Sequence, residues 1–178
     1  MKKISFFLVT LLCLSYSIYG QNNLKIKSST VTFKIKNAGF YVDGYLKGFE
    51  GKVLFSKNAL SGSSIEASVK TETINTGNKS RDNHLRKDDY FNAEKYPKIS
   101  MKSKRFANSQ SGDFIGYFDL TIRDVTKEVK IPFTYKESNS IGTFKGNFTI
   151  NRRDYNVGGN SMVLGDMVIV DVEIEVSL

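Results

Sequence analysis

The chain has one cysteine, one histidine and two prolines in 178 residues. The cysteine is Cys13, inside an apolar N-terminal stretch, so the rest of the chain can form no disulfide, thiolate metal site or cysteine nucleophile. The single histidine, His84, is too little for a conventional zinc site. The sequence also lacks glycine-rich phosphate loops, serine nucleophile elbows and long internal repeats. Stability must therefore come from secondary structure and an apolar core.

The N-terminus has the features of a secretory signal peptide. Two lysines precede an apolar run over residues 4–19, and Gly20 is a small residue before a polar stretch. The run is too short for a comfortable membrane span, although an uncleaved anchor is the alternative. A large leucine precedes Cys13, which argues against a lipobox. We therefore predict a signal peptide over residues 1–20, one domain over residues 21–178, and a periplasmic or secreted protein that is not a lipoprotein.

The formal net charge is +8, and two of the positive charges lie in the predicted signal peptide. A basic protein suits nucleic acid, anionic lipid head groups or an anionic membrane surface as a partner. Export argues against nucleic acid, and leaves transient contact with a membrane surface as an expected interaction. The alternative is that the lysines occupy the polar faces of strands, where they favour solubility and discourage pairing of edge strands.

Alternation of apolar and polar residues dominates the chain after residue 30 and predicts β-strands. About eight such segments occur between Gly or Asn residues, at 30–36, 46–55, 64–73, 98–103, 112–123, 127–135, 143–150 and 167–178. This pattern predicts an all-β fold, an antiparallel β-barrel of about eight strands. Residues 76–91 break the alternation, and Ser80 is predicted to cap a short helix through Asp89, between strands three and four. Pro132 falls inside a predicted strand, so it should lie at a bulge or lack a ladder partner.

One face of each predicted strand is apolar and would point into the barrel. A barrel of this size is just wide enough to be filled by side chains or to hold one small ligand. The predicted lumen residues are Phe33, Phe55, Phe114, Gly116, Phe118, Phe133, Phe144, Gly146 and Phe148. The two glycines leave room for a ligand, bend the strands, or do both. The phenylalanines share the phase of the aliphatic residues, which argues against an outward stacking platform for an oligonucleotide.

Three segments resemble sequence signatures of the YceI-like family. Residues 84–97 read HLRKDDYFNAEKYP and resemble the pattern H-L-R-x-x-D-[FY]-F-[DN]-x-x-K-Y-P. Residues 116–127 resemble the family's G-x-L-T-[IM]-x-G-V-T-[KR] hairpin, and residues 151–158 its N-R-x-[DE]-[FY]-G-[VI]-G. Asp124 and Asn156 stand where the family usually has glycine. Both residue types tolerate the left-handed backbone of a turn, so we expect the geometry to be kept.

The resemblance implies a lipocalin-like barrel that carries a polyisoprenoid or another long apolar lipid in the bacterial envelope. The predicted rim and head-group residues are His84, Arg86, Arg152 and Arg153. The first two either tether the helix to the barrel rim or contact a lipid head. Catalysis by His84 would need a nucleophile or a metal that the sequence does not offer. The two later arginines suit an anionic head group, or instead form a salt bridge with Asp154 at the barrel end.

The sequence therefore favours a non-enzymatic carrier without cofactor or metal. Its expected ligand is a polyisoprenoid, an isoprenoid quinone or a fatty-acyl lipid, because the lumen composition specifies only a long apolar chain. One alternative is an envelope stress or interaction protein with a side-chain-filled barrel, and another is a hydrolase that uses His84.

Overall fold

The structure, a computed structural model, describes residues 23–111 and 113–178, where one antiparallel sheet of nine strands curls into a barrel. The predicted signal peptide, its cleavage site and Cys13 lie outside the described residues. The strands and the helix are β1 (Lys25–Asn37), β2 (Phe40–Leu46), β3 (Glu50–Leu54), β4 (Ser64–Lys70), α1 (Lys79–Leu85), β5 (Lys98–Asn108), β6 (Phe114–Ile122), β7 (Val125–Ser138), β8 (Ile141–Asn151) and β9 (Leu164–Ser177). Short 3₁₀ segments occupy Leu60–Gly62, Thr71–Thr73 and Arg152–Tyr155.

The strand order in the sheet is β2-β1-β9-β8-β7-β6-β5-β4-β3. The two edge strands, β2 and β3, are consecutive in the chain, and curling of the sheet brings the edges near each other. Leu24 N donates to Val53 O at 2.7 Å, which joins the start of β1 to β3. Tyr45 and Asn75 form a second isolated bridge, which joins β2 to the segment after β4. The predicted antiparallel barrel with one short helix is confirmed.

The sheet has nine strands where the alternation indicated about eight. The segment predicted as one strand over 46–55 contains the end of β2 and all of β3, because Gly48 turns the chain at φ +68°. The rest of β2 was missed. It follows a two-residue turn in which Ala38 and Gly39 both have positive φ, the pattern of a tight hairpin turn.

The predicted helix exists but is shorter than expected. It begins after Asn78, whose side-chain oxygen accepts from Arg81 N, and it ends at Leu85. Asparagine is as good an N-cap as serine, so Asn78 takes the role predicted for Ser80. Residues 86–96 continue as turns rather than as helix. Within residues 23–111 and 113–178, no helix is long and apolar enough to cross a membrane.

Six aromatic side chains close the end of the barrel opposite α1. Phe55 lies at their centre, edge-on to its neighbours at ring-centroid distances of 5.0–5.7 Å, and these neighbours are Phe106, Phe114, Phe133, Tyr135 and Phe144. Each edge-to-face pair stabilises by about 0.5–1.5 kcal/mol beyond the burial of apolar area. Burial, with a smaller contribution from Glu137, raises the pKa of Tyr135 to about 12, so this cluster is uncharged at neutral pH.

Proline and turn residues fit the sheet in ways that the sequence predicted only in part. Pro132 pairs with Ile115 of β6, so it does have one ladder partner. The expected gap is on the other side, because the β7–β8 ladder begins one residue later, at Phe133. Asn156 has φ +56°, the left-handed conformation predicted for it. At the β6–β7 turn, however, Arg123 rather than Asp124 is left-handed, with φ +57°. Positive φ at the first turn position is the pattern of a type II′ hairpin turn, which does not need a left-handed second residue.

An apolar cavity under a polar cap

An apolar cavity of about 230 Å³ lies inside the barrel between the aromatic cluster and α1. The inward-facing residues of β1 and β9, such as Val31, Ile35 and Val170, line it and are only half-buried. On the opposite wall, Phe118 and Leu120 are fully buried. The half-buried wall therefore borders empty space rather than other side chains. Engineered apolar cavities of about 150 Å³ already bind small apolar molecules, so this volume is large enough to hold an apolar ligand.

Six of the predicted lumen residues line the cavity, namely Phe33, Phe118, Phe133, Phe144, Gly146 and Phe148. Phe55 and Phe114 lie in the aromatic cluster that closes the barrel, below the cavity. Gly116 does not add free volume, because the Phe118 ring lies directly over it and a methyl group there would overlap that ring. Contact of any of these residues with a ligand stays a prediction.

Arg152 makes an extensive set of hydrogen bonds at the end of the barrel where α1 lies. It is 4% exposed and lies in the 3₁₀ segment after β8. Its five N–H groups donate to the carbonyls of Gly165, Val157, Gly159 and Leu164 and to Asp166 Oδ1, the last at 2.8 Å. Its salt-bridge partner is therefore Asp166, whereas Asp154 pairs with Lys127. A lipid head group could bind this guanidinium only by displacing one of these acceptors.

The other three predicted rim residues lie outside the cavity lining. Arg86 donates to the carbonyls of Glu72 and Ile74, which ties α1 to the segment after β4. His84 Nε2 lies 2.8 Å from Asp89 Oδ2, and both side chains are more than half exposed. Arg153 is exposed and donates to Asn160 Oδ1 at 2.9 Å. Head-group contact by these residues is still a prediction.

The three sequence signatures meet at the α1 end of the barrel, although they are far apart in the chain. Arg123 donates through Nη1 to the carbonyls of Tyr90 and Asn156, one in each of the other signatures. Gly158 N donates to Asp89 O at 2.9 Å. Gly158 has φ +67°, and a side chain there would collide with Arg152 and Tyr90. The signatures therefore build one hydrogen-bonded cap over the barrel end.

Arg81 is a candidate site residue that the sequence did not single out. It lies in α1, lines the cavity and is half-buried. Its Nε donates to Thr76 Oγ1 at 2.7 Å and its Nη2 to Thr76 O at 2.8 Å, while Asp82 accepts from Thr76 as well. Among the described residues, no acceptor is hydrogen-bonded to Arg81 Nη1. This arginine can therefore offer a donor to a polar group in the cavity.

Few charges border the cavity. Among its described lining residues, only Arg81 and Arg152 are charged, and the second is paired with Asp166. Burial, together with the neighbouring charge of Asp154, raises the pKa of Tyr155 under the cap to about 12, so that phenol is neutral. In the part of the chain that the structure describes, no group of three or more His, Cys, Asp or Glu residues is placed to hold a metal ion.

A curled antiparallel sheet around an apolar cavity is the architecture of ligand-holding β-barrels. A sequence model of the YceI-like domain matches residues 23–178, and the chain belongs to the YceI-like family. A UPF0312 protein of Shewanella denitrificans is 31% identical over 104 residues, 58% of this chain and 54% of that protein. A UPF0312 protein of Vibrio cholerae is 24% identical over 159 residues, 83% of this chain and 80% of that protein. The chain spans about half the length of the first of these relatives.

Solved structures share the fold. BcnA of Burkholderia cenocepacia aligns with a TM-score of 0.78 and 23% identity, over 83% of this chain and 95% of that one. The YCEI protein of Campylobacter jejuni gives 0.69 and 22%, over 97% and 99% of the two chains. A polyisoprenoid binding domain from Saccharophagus degradans, implicated in plant cell wall breakdown, gives 0.61 and 14%, over 87% and 97%. At these identities the similarity establishes the fold.

Proposed function

We propose that this protein is an exported, non-enzymatic carrier of a long apolar lipid. The observation that carries the proposal is the apolar cavity of about 230 Å³ inside the barrel. A barrel filled by its own side chains would leave no such space, which disfavours the stress or interaction protein without a ligand. The name of the Saccharophagus degradans domain, a structural neighbour, adds support for an isoprenoid chain.

The expected binding energy is sufficient without a buried ion pair. Burying about ten methylene groups at roughly 0.8 kcal/mol each contributes about 8 kcal/mol before the costs of association. A longer prenyl or acyl chain offsets those costs and reaches about micromolar affinity. Arg81 would receive the polar end of such a lipid, because it is the lining cation without an ion-pair partner among the described residues.

The surroundings of His84 in the described part of the chain do not favour the hydrolase. His84 lies outside the cavity lining, and Asp89 is the side chain that hydrogen-bonds its ring among the described residues. The ring also packs edge-on against Tyr90 at 4.9 Å between centroids. A histidine held in this way has the surroundings of a structural contact in the cap.

The carrier is tested by its lipid content and by filling its cavity. Lipid extraction from protein purified out of its own envelope, followed by mass spectrometry, should yield a long-chain lipid. Gly146→Leu and Ala67→Leu should each weaken binding of a fluorescent prenyl lipid by about tenfold or more, because leucine occupies cavity volume. A Cβ at Gly146 meets Ile131 Cγ2 at 3.1 Å, so the wall needs only a small adjustment. Stability of the delipidated variants should be nearly unchanged.

The matched control is Thr149→Leu, on the exposed face of the same strand as Gly146. It should bind lipid like the wild type. If Gly146→Leu and Ala67→Leu melt far below the wild type but bind lipid normally per folded molecule, the ligand does not occupy this cavity. Protein that carries no extractable lipid and binds no added lipid would refute the carrier.

Arg81→Gln should separate lipids by their polar ends. We expect about tenfold weaker binding of a fatty acid or prenyl phosphate, since a charge-assisted hydrogen bond is lost, and unchanged binding of the corresponding alcohol. Competition against a fluorescent lipid measures both. Lys79→Gln removes the same charge from an exposed position of α1 and should change neither. Equal effects on the acid and the alcohol would mean that Arg81 only supports the cap.

A further inference from the structure

Exposed apolar side chains concentrate at one end of the barrel. In the described part of the chain six large hydrophobic residues are exposed, and five of them belong to two short segments. These five form what we call the tip surface, namely Phe40, Tyr41, Met162, Val163 and Met167. Phe40 is 79% exposed and Met162 is fully exposed. Single exposed apolar residues are ordinary, but a group of them on one surface marks an interaction site.

The two segments of the tip surface are held together by the backbone. Phe40 and Tyr41 follow the β1–β2 turn, and the other three residues lie in the loop before β9 or near its start. Ala38 N donates to Val163 O at 2.8 Å, and β1 pairs with β9 through Asn37 and Leu164. The apolar side chains therefore project from paired strands and their joined loops.

The tip surface is continuous with the cavity lining. Val42, next to Tyr41, and Leu164, next to Val163, both line the cavity, as does Asn37. Because neighbouring residues on a strand point to opposite faces, these segments present apolar side chains outward and inward at the same end of the barrel. A lipid at the tip surface would lie beside the cavity.

The charges around the tip surface fit an anionic surface. Lys36 Nζ lies 5.5 Å from the centroid of the Tyr41 ring. Arg153 is exposed and lies in the 3₁₀ segment that precedes the loop before β9. Among the described residues, neither cation forms an ion pair, whereas the nearby carboxylates Asp43 and Asp166 are each paired with a cation. A second copy of this basic chain would oppose like charges, while anionic head groups would attract them.

We propose that the tip surface docks on an anionic lipid bilayer, with Phe40 and Met162 inserted at the acyl-chain boundary and Lys36 and Arg153 at the head groups. Docking in this orientation places the cavity end at Val42 against the membrane. The proposal goes beyond lipid carriage, because binding to vesicles through the tip surface requires no occupant in the cavity.

The absence of tryptophan from the chain allows a direct test. Phe40→Trp places the variant's single tryptophan on the tip surface, and excitation at the red edge of the absorption band selects it over the tyrosines. Leu178→Trp is the matched control, because Leu178 is the sixth exposed hydrophobic residue and follows the far end of β9. With vesicles of mixed phosphatidylcholine and phosphatidylglycerol, the Phe40→Trp emission should shift to the blue and be quenched by brominated acyl chains. The Leu178→Trp emission should not change.

Vesicle co-sedimentation then measures the contribution of the surface. Each inserted side chain raises the affinity for vesicles on the order of tenfold. The double variant Phe40→Ser with Met162→Ser should therefore bind vesicles about a hundredfold more weakly, whereas Leu178→Ser should bind like the wild type. Lys36→Gln with Arg153→Gln should lower the preference for phosphatidylglycerol. Gly146→Leu, in which a side chain occupies part of the cavity, should still bind vesicles. The proposal fails if the wild type ignores vesicles, if the double serine variant binds equally well, or if the tip surface supports only a dimer in ultracentrifugation.

Discussion

Replacing Arg152 with alanine is expected to lower the free energy of unfolding by about 3–5 kcal/mol. The guanidinium is buried, and its five N–H groups satisfy four backbone carbonyls and the Asp166 carboxylate. Alanine removes all five donors at once from the loop before β9 and the start of that strand. The Val157 carbonyl is buried and the other four acceptors are partly buried, so water replaces the lost donors only in part. Urea denaturation followed by circular dichroism measures the loss.

Arg153→Ala is the matched control, since it removes the same side chain one residue later. Arg153 is exposed, and among the described residues Asn160 is the one side chain that it hydrogen-bonds, so its loss should change stability by no more than about 0.5 kcal/mol. Arg152→Lys keeps a positive charge beside Asp166, but the ammonium cannot donate to acceptors on all sides. Its loss of stability should therefore lie between those of the two alanine variants. Equal losses in the two alanine variants would show that the bonds of Arg152 contribute little.

Strand phase was predictable because a barrel wall has a strict inward and outward alternation. Val31, Phe33 and Ile35 share the apolar face of the predicted first strand, and all three line the cavity. The helix was recognisable for the complementary reason, since residues 76–91 break the alternation. The sequence pattern did not predict β2, because Gly44 faces inward but has no side chain. The Phe33 ring across the ladder covers this position instead. The alternation of apolar residues is therefore interrupted in the sequence although the barrel wall is continuous.

The roles of the polar residues were less predictable, because they depend on partners distant in sequence. Arg152 and Arg153 are identical neighbours, yet one is buried among acceptors from residues 157–166 and the other is exposed. The order of the residues does not reveal this difference. Arg81 was overlooked for a similar reason, since only the barrel wall makes the inward side of α1 a lining surface.

Phe118→Asp is expected to abolish lipid binding and to destabilise the fold by several kcal/mol, enough to unfold a marginal domain. Phe118 is 4% exposed, lines the cavity, covers Gly116 and packs edge-on against Phe106. Truncating a buried phenylalanine alone costs about 3–5 kcal/mol. The aspartate adds a charge on an apolar wall, where its pKa should rise because burial disfavours the ionised carboxylate.

Phe118→Asn separates the charge from the loss of the ring, because asparagine has the same shape and does not titrate. A carboxyl whose pKa is higher in the folded state destabilises the fold fully above that folded pKa. The penalty disappears below the unfolded value of about 3.9. The Asp variant should therefore be less stable than the Asn variant at neutral pH, and the gap should close as the pH falls through the raised pKa toward 4. Tyr117→Asp provides the positional control, since that residue faces outward with Arg105 at 3.3 Å from its ring. Urea denaturation of the three variants at neutral pH and near pH 4 gives the free energies of unfolding to compare. A Phe118→Asp protein as stable as Tyr117→Asp at neutral pH would mean that β6 does not turn this face toward the cavity.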